Sequence, residues 1–540
     1  MGATFPMPYM IGAVLGLAFA FKIVWAALRS HLVAKHSCVG DIADLGKPRS
    51  ESEKIRGTAV VAGGSYAGLA AACVLHDHFE RVVIIEPEAW LLEEDGRRAI
   101  SWEQEGKRAR IVQYNSLQAT QPFVLRALRC MFPNWDATCK EGGIEIAPWT
   151  VNFMWWGNSA IVPTKEFGGS IPDAMWATRR ALETAMRRRV LDRKAYPNIT
   201  QIAGQVTGFI TDKSRGDAVS GCTYRDVDGN SNDMHAVFVA DCTGTAQGSL
   251  KWLPAAGWST NIPKDTYDAK MRYTTFMFKI RPELAAKLPV PGGFYRRSGG
   301  YLANMPDPRN DNKHLSILRN EGDLLSVCPG GWGNTGPPLK NIDDILAHCK
   351  AMKVTKPLPQ WIFDTIDLLR EAEDDMSLSQ VNVGPSFLVK FHECRDLPNN
   401  FVALGDVVSR VNPMYGHGCA KAITGAICMN NLLQRARNSQ SLPRNFSRDF
   451  FKMQLDKITP MWELSVLNDY GQPSTVPIAG ENKSSTDGIR WYLRQVQKLS
   501  FKDADAFLPT FLAVSLLGGT NIDLLHPAFV AKVMWNTLMG

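Results

Sequence analysis

Residues 57–88 read GTAVVAGGSYAGLAAACVLHDHFERVVIIEPE, and no other stretch so narrows what this chain can fold into. The apolar run Thr58–Ala62 predicts a buried strand, the glycines a tight turn, Leu69–His78 a helix of small residues, and Val82–Glu86 a second strand. That order is a βαβ dinucleotide-binding unit, in which the free N–H groups and dipole of the helix N-terminus favour a pyrophosphate. Gly63 permits the turn and Gly68 lets the helix pack close to the strand. Ser65 replaces the middle glycine of the usual pattern, with a hydroxyl able to donate to phosphate. Glu86 lies eighteen residues past Gly68, where a carboxylate takes ribose hydroxyls. Gly63, Gly64, Ser65, Ala67, Gly68 and Glu86 are therefore the first candidate cofactor-binding residues.

A second segment far downstream, FVALGDVVSRVNPMYGHGCAKAITGAICMNNLL, predicts a strand over Phe401–Leu404, a turn through Asn412, Pro413, Gly416 and Gly418, and a helix from Cys419. Between the two, AVFVADCTGTAQGSLKWLPAAGW predicts a strand over Val237–Ala240 followed by Asp241 and Gly244. Taken together, the three segments resemble those of single-component FAD-dependent monooxygenases of the aromatic-hydroxylase and epoxidase superfamily, and the resemblance runs from Gly57 to the C-terminus. It implies that Asp406 binds the ribitol chain and that Gly416, Gly418 and Cys419 bring a helix N-terminus to the flavin. Such an N-terminus stabilises the negative charge of reduced flavin. The stretch WATRRALETAMRRRVL matches a helix of that family and makes Arg179 the candidate flavin-contacting arginine. Gly96-Arg97-Arg98 resembles an arginine loop that reaches the cofactor, which marks Arg98. Where relatives carry a Gln and two His, this chain has Arg110, Gln113 and Asn115. His417 reads as a turn residue that completes the cofactor wall.

The N-terminal stretch 7–28, MPYMIGAVLGLAFAFKIVWAAL, is apolar apart from Lys22. As a helix it spans about 30 Å, the thickness of a bilayer core. No basic residue precedes it, against a cleavable signal; Arg29 and Lys35 follow it, which by the positive-inside rule holds the body in the cytosol. The expectation is a single-pass anchor, in the endoplasmic reticulum of a eukaryotic cell. A net charge of +7 over 540 residues implies no nucleic-acid partner. The eleven cysteines form no paired spacing, so neither a disulfide scaffold nor a zinc ribbon is expected, and the histidines show no metal-ligand spacing. The tryptophans Trp155 and Trp156, followed by Gly157, break the spacing of the WxWxIP stretch that flavin halogenases carry.

The expected architecture is α/β: an FAD-binding Rossmann-like domain, an antiparallel-sheet substrate domain, a helical C-terminal cap and an N-terminal transmembrane helix. The boundaries are 1–36 for the anchor, 37–56 for a linker, and 57–260 for the first FAD-binding part, with a substrate-domain insertion at about 116–174. Residues 261–394 form the antiparallel sheet, 395–430 return to the FAD-binding domain, and 431–540 are helical. Tyr273, Phe276, Phe278 and Trp332 read as sheet core first and pocket lining second, and Phe507–Leu517 as a buried or membrane-grazing helix too short to span.

By resemblance, FAD is the cofactor, NAD(P)H the reductant and O2 the second substrate, with epoxidation or hydroxylation of a small apolar polyketide or terpenoid as the reaction. Epoxidation followed by rearrangement, as in strobilurin-type biosynthesis, is its sharpest form. The alternatives are a flavin-dependent reductase or dehydrogenase of a prenyl or polyketide substrate, and a non-catalytic flavoprotein scaffold.

Overall fold

In the computed structural model, which describes residues 7–211, 216–296 and 298–539, the βαβ unit organises the whole molecule. Strand Ile55–Ala62 is the middle one of the five parallel strands in a seven-stranded sheet of order Phe401–Ala403, Phe238–Asp241, Ile55–Ala62, Phe79–Glu86, Ile199–Thr211, Val219–Asp226, Ser231–His235. The first five run parallel, and the last two extend the sheet as antiparallel hairpin strands. Strands buried on both faces need apolar side chains at every position. Ala59 and Val61 accordingly face helices Tyr66–His78 and His417–Arg435, while Val60 and Ala62 face a separate cluster with Val83, Ile85 and Trp252.

A second seven-stranded sheet, built mainly from Met271–Lys279, Gly300–Met305, Lys313–Arg319, Leu324–Trp332 and Ser377–Asn382, is antiparallel except where Gly300–Met305 pairs with Phe153–Trp155. From 116–174, only the short strands Phe153–Trp155 and Asn158–Ser159 join this sheet. Helices Pro122–Met131 and Trp135–Glu141 instead bury Phe123, Leu125, Leu128, Trp135 and Cys139 in the FAD-binding core. Trp149, Val151, Ala160 and Ile171 in turn pack with Leu318 of the second sheet.

The first six residues of the expected anchor lie outside the described ones; the helix runs Met7–His36, and the 25-residue stretch Gly12–His36 is long and apolar enough to cross a membrane, with none of its apolar window buried. Its end docks on helix Phe446–Asp469: the Lys457 ammonium donates to the carbonyls of Ala34 (2.5 Å) and Ser37 (2.7 Å), and Lys35 pairs with Asp456 at 3.6 Å. Arg29 is held by Asp523 at 2.6 Å. The linker is also fastened. Arg49, buried within it, donates to His78 Nδ1 (3.1 Å) and to the carbonyls of Leu433 (2.7 Å) and Ser439 (2.6 Å), tying 37–56 to both helices that flank the nucleotide turn. All eleven cysteines are unpaired, and most are buried.

Candidate flavin site

The turn after the central strand is built as its residue types demand. Gly63 has φ +104°, and a Cβ there would lie 2.6 Å from the Cys242 carbonyl oxygen. A Cβ on Gly68 would lie 1.8 Å from the Gly63 carbonyl oxygen, so only glycine lets the helix start against the strand. Ala67 meets the other half of the site, since the space beside its methyl is left by Gly405, whose own Cβ would fall 2.9 Å away. Ser65 stands at the N-cap of the helix without capping it by its side chain, so the first N–H groups of Tyr66–His78 stay free for an anion.

The Ser65 hydroxyl is otherwise engaged. It donates to Glu183 at 2.6 Å and accepts from Arg179 at 3.3 Å, which corrects the expectation that it points at phosphate. Glu183 is fully buried and also pairs with Arg187 at 2.8 Å and with Arg108. Burial works to raise its carboxyl, but the Arg108, Arg187 and Arg179 guanidiniums together hold it far below the usual carboxylate range. Glu86, also buried, accepts from the Gly64 N–H at 2.6 Å and the Glu88 N–H at 3.2 Å, and pairs with Arg108 at 2.9 Å. Arg108 therefore gathers Glu86, Glu88 and Glu183 around one buried guanidinium. Arg98, by contrast, is an exposed side chain paired with Asp95 at 3.4 Å and lies outside the cleft; Arg108 and Arg110 of the same loop line it.

Asp406 lines the cleft from the opposite side and pairs with Lys421 at 2.8 Å. Burial works to raise its carboxyl and the Lys421 ammonium more than offsets that, leaving it below the usual range. Gly416, at φ +69°, turns the chain into helix His417–Arg435 without a side-chain cap. Around Gly418, no atom comes within 4 Å of a would-be Cβ, so its face is open for a planar ring to approach. Cys419 is buried beside it, its thiol pushed up to about 11 by burial.

His417 lines this wall, as its place in the turn implies, whereas Asp469 behind it escapes sequence reasoning. His417 is buried with neither ring nitrogen hydrogen-bonded, and burial, aided by the Lys421 charge, lowers it to about 4, so it is neutral at physiological pH. Asp469, fully buried, accepts from Tyr267 (2.8 Å), Trp332 (2.8 Å), Asn412 (2.8 Å) and Tyr415 (3.1 Å), bracing the turn before Gly416 against the antiparallel sheet. Its position at the end of a helix that carries several other acidic residues is marked by no motif.

The lowered His417 has a measurable consequence. The unfolded chain binds a proton at this side chain as pH falls below about 6.5 while the native state does not until about 4, so native stability drops on acidification across that window. At pH 5 the loss from this one group is about 2 kcal/mol. A His417→Leu variant is expected to show a smaller fall in thermal unfolding temperature between pH 7 and pH 5 than the wild type; an equal fall would place the proton elsewhere.

Both halves of the site open on one cavity of about 1880 Å³. Gly63, Ser65, Glu86, Arg179, Asp406 and Gly416–Cys419 line it. So do the aromatic side chains of Trp149, Phe153, Trp155 and Tyr273, with His314 and Ser316 among the polar groups. Gly64 and Gly68 shape the turn from behind. Of the sheet aromatics, Tyr273 reaches the cavity, whereas Phe276, Phe278 and Trp332 are core. Helix Ala504–Val514 closes the aromatic wall, with Phe507 5.6 Å from Trp155 and Phe511 5.6 Å from Trp149, ring to ring; these two rings are buried, while Leu508, Leu512 and Val514 stay half-buried. Among the described residues, no His, Cys, Asp and Glu group is placed to hold a metal ion.

The donor set fits FAD: a glycine turn closed to any Cβ, free N–H groups at two helix N-termini, an open face at Gly418, and an Arg179 Nε without a hydrogen-bond partner. No protein-family model matches the chain. It is 23% identical over 434 residues to Protein Rv3254 of Mycobacterium tuberculosis (strain ATCC 25618 / H37Rv), covering 76% of this chain and 80% of that protein. Among solved structures it is similar to a variant of the flavin-dependent brominase Bmp2, with TM-score 0.56 and 12% identity over 89% of this chain and 99% of that one. It is also similar to Klebsiella pneumoniae HpxO complexed with FAD and uric acid, with TM-score 0.51 and 12% identity over 86% and 97% of the two chains. At these identities the likeness is one of fold. The chain thus shares its fold with these two flavin-binding proteins, in keeping with what the three sequence segments imply.

Proposed function

We propose that this chain is an FAD-dependent monooxygenase that uses NAD(P)H and O2 to epoxidise or hydroxylate a small apolar substrate of polyketide or terpenoid type. The observation that carries the reading is the single cavity joining the glycine-and-aspartate cradle to an aromatic, apolar chamber. FAD, when bound, supplies the electron transfer and oxygen activation; such chemistry belongs to the cofactor, and the protein binds, orients and excludes water. The N-terminus of Tyr66–His78 holds the pyrophosphate, Asp406 with Lys421 beside it meets the ribitol hydroxyls, and the N-terminus of His417–Arg435 offers positive potential to charge on the ring. Neutral His417 adds a ring nitrogen beside that N-terminus without adding charge. The aromatic wall keeps bulk water from the reacting face and positions an olefin or arene by shape. The reading includes anchoring by Gly12–His36, in the endoplasmic reticulum with the catalytic body in the cytosol.

The test is made on the detergent-solubilised full chain. Purified protein is expected to be yellow, to bleach on anaerobic NADPH, and with a suitable apolar olefin or phenol to transfer one atom of ¹⁸O2 to product. Bleaching without any isotope incorporation, with hydrogen peroxide as the oxygen product, would assign a reductase instead. A colourless protein that takes up no FAD would overturn the reading altogether.

A further inference from the structure

The helix Pro527–Met539 carries an apolar face that the flavin reading does not use. Trp535 is 66% exposed, Leu538 79% and Met539 71%, with Met534 beside them on the same side. On its other side Val533 is fully buried with Val496, Leu499 and Ala506, and Phe529 packs against the same cluster. The single charge in the helix, Lys532, is paired with Asp503. A surface helix of a water-soluble body turns polar residues outward. This one is apolar on both faces, and a contiguous exposed apolar patch marks an interaction surface.

Its position indicates what covers it. The segment before the helix is fastened to the N-terminal helix: the His526 ring stands edge-on to Trp25 at 5.1 Å and to Phe21 at 5.8 Å, and Asp523 holds Arg29. The exposed face therefore continues from a helix long and apolar enough to cross a bilayer. Thirteen residues of helix measure about 20 Å, short of the roughly 30 Å needed to span, so the geometry is that of a helix lying in the interface. The cavity comes up to the edge of this region. Its lining includes Leu32 and His36, just past Arg29 on the N-terminal helix, and also Leu512, Leu524 and the 58%-exposed Leu525.

We propose that Pro527–Met539 is a second membrane-embedded element, which together with the N-terminal helix seats the mouth of the cavity, at Leu32 and Leu525, against the bilayer surface, so that an apolar substrate enters from the lipid phase. The proposal rests on the reading of Gly12–His36 as a membrane anchor. Arg29 and Asp523, paired where the two elements meet, mark the polar edge of the bilayer, and Leu525 lies at the lip of the opening.

Photo-crosslinking separates the two readings. p-Benzoylphenylalanine is placed singly at Leu538, Leu525, Leu17 (on the N-terminal helix) or Val227 (exposed on the cytosolic body), and the full chain is reconstituted into phosphatidylcholine vesicles with alkyne-tagged acyl chains. Acyl-chain labelling at Leu538 and Leu525 comparable to that at Leu17, with Val227 at background, is the expected result. Labelling at Leu17 with Leu538 at background overturns the proposal and leaves the anchor standing. Labelling at Leu538 but not at Leu525 overturns the lipid-level opening. Crosslinks from Leu538 to a second copy of the chain would assign the face to self-association, again overturning it. Background labelling at all four positions removes the anchor, and the proposal with it.

Discussion

Replacing Arg108 with methionine is expected to be among the most damaging single changes outside the glycine turn, and to leave the protein unable to retain FAD. The Arg108 side chain is almost wholly buried and is the shared partner of Glu86, Glu88 and Glu183. Removing one member of a buried ionic cluster leaves uncompensated charge and costs about 3–5 kcal/mol. Glu183 would keep Arg187 and the Ser65 hydroxyl, but Glu86 would retain only the N–H groups of Gly64 and Glu88. The damage therefore concentrates where the ribose is to be met. Thermal unfolding and the flavin-to-protein ratio of the purified variant test this. An Arg98→Met control, altering an exposed side chain, is expected to stay within about 0.5 kcal/mol of wild type. Normal stability and flavin content in the Arg108 variant would show that the cluster is dispensable.

A pair of glycine substitutions separates shape from contact. Gly68→Ala drives a methyl to 1.8 Å from the Gly63 carbonyl oxygen, where backbone must move, and is expected to cost about 3 kcal/mol or more and to abolish flavin binding. Gly418→Ala meets no protein atom within 4 Å. Its flavin-free form is expected to unfold at the wild-type temperature while its flavin dissociates at least about tenfold faster, because a Cβ would intrude only on a ring lying against that face. Titration of the flavin-free proteins with FAD, followed by protein fluorescence, reads both. Wild-type affinity in Gly418→Ala would move the ring away from this helix.

What could be read from the sequence was whatever is written locally. The βαβ unit, the segment around Asp406 and the strand at Asp241 each combine a short apolar run with a fixed glycine or aspartate, and each lies where its pattern predicted, with boundaries moved by a few residues. Helix Tyr66–His78 begins earlier than expected because Ser65 and Tyr66 carry no apolar periodicity of their own, and tertiary packing decides them. Contacts that join distant segments had no local signature. Arg108 looks like any other cation in a charged loop until Glu86 and Glu183 are brought to it across the sheet. Arg98, which the resemblance of Gly96-Arg97-Arg98 to an arginine loop marks, faces water. Asp469 and the aromatic wall of Trp149, Phe153 and Trp155 depend in the same way on the packing of segments far apart in the chain. Pro122–Met131 is apolar enough to be core, but sequence alone does not say which core; it packs with the helices of the parallel sheet.

The order of strands in the parallel sheet has a consequence for how the protein is made. Its neighbouring strands Ile55–Ala62, Phe238–Asp241 and Phe401–Ala403 come from the beginning, middle and late parts of the chain. A ribosome adding about 5–20 residues per second will have exposed the nucleotide turn long before it makes Asp406 or Lys421. Until then the nascent chain holds a half-built sheet with an unpaired apolar edge, and the pocket for the flavin is open on one side. Cofactor loading is thus confined to the last stage of synthesis, and chains stalled before residue 421 are expected to depend on chaperones, whatever the supply of FAD.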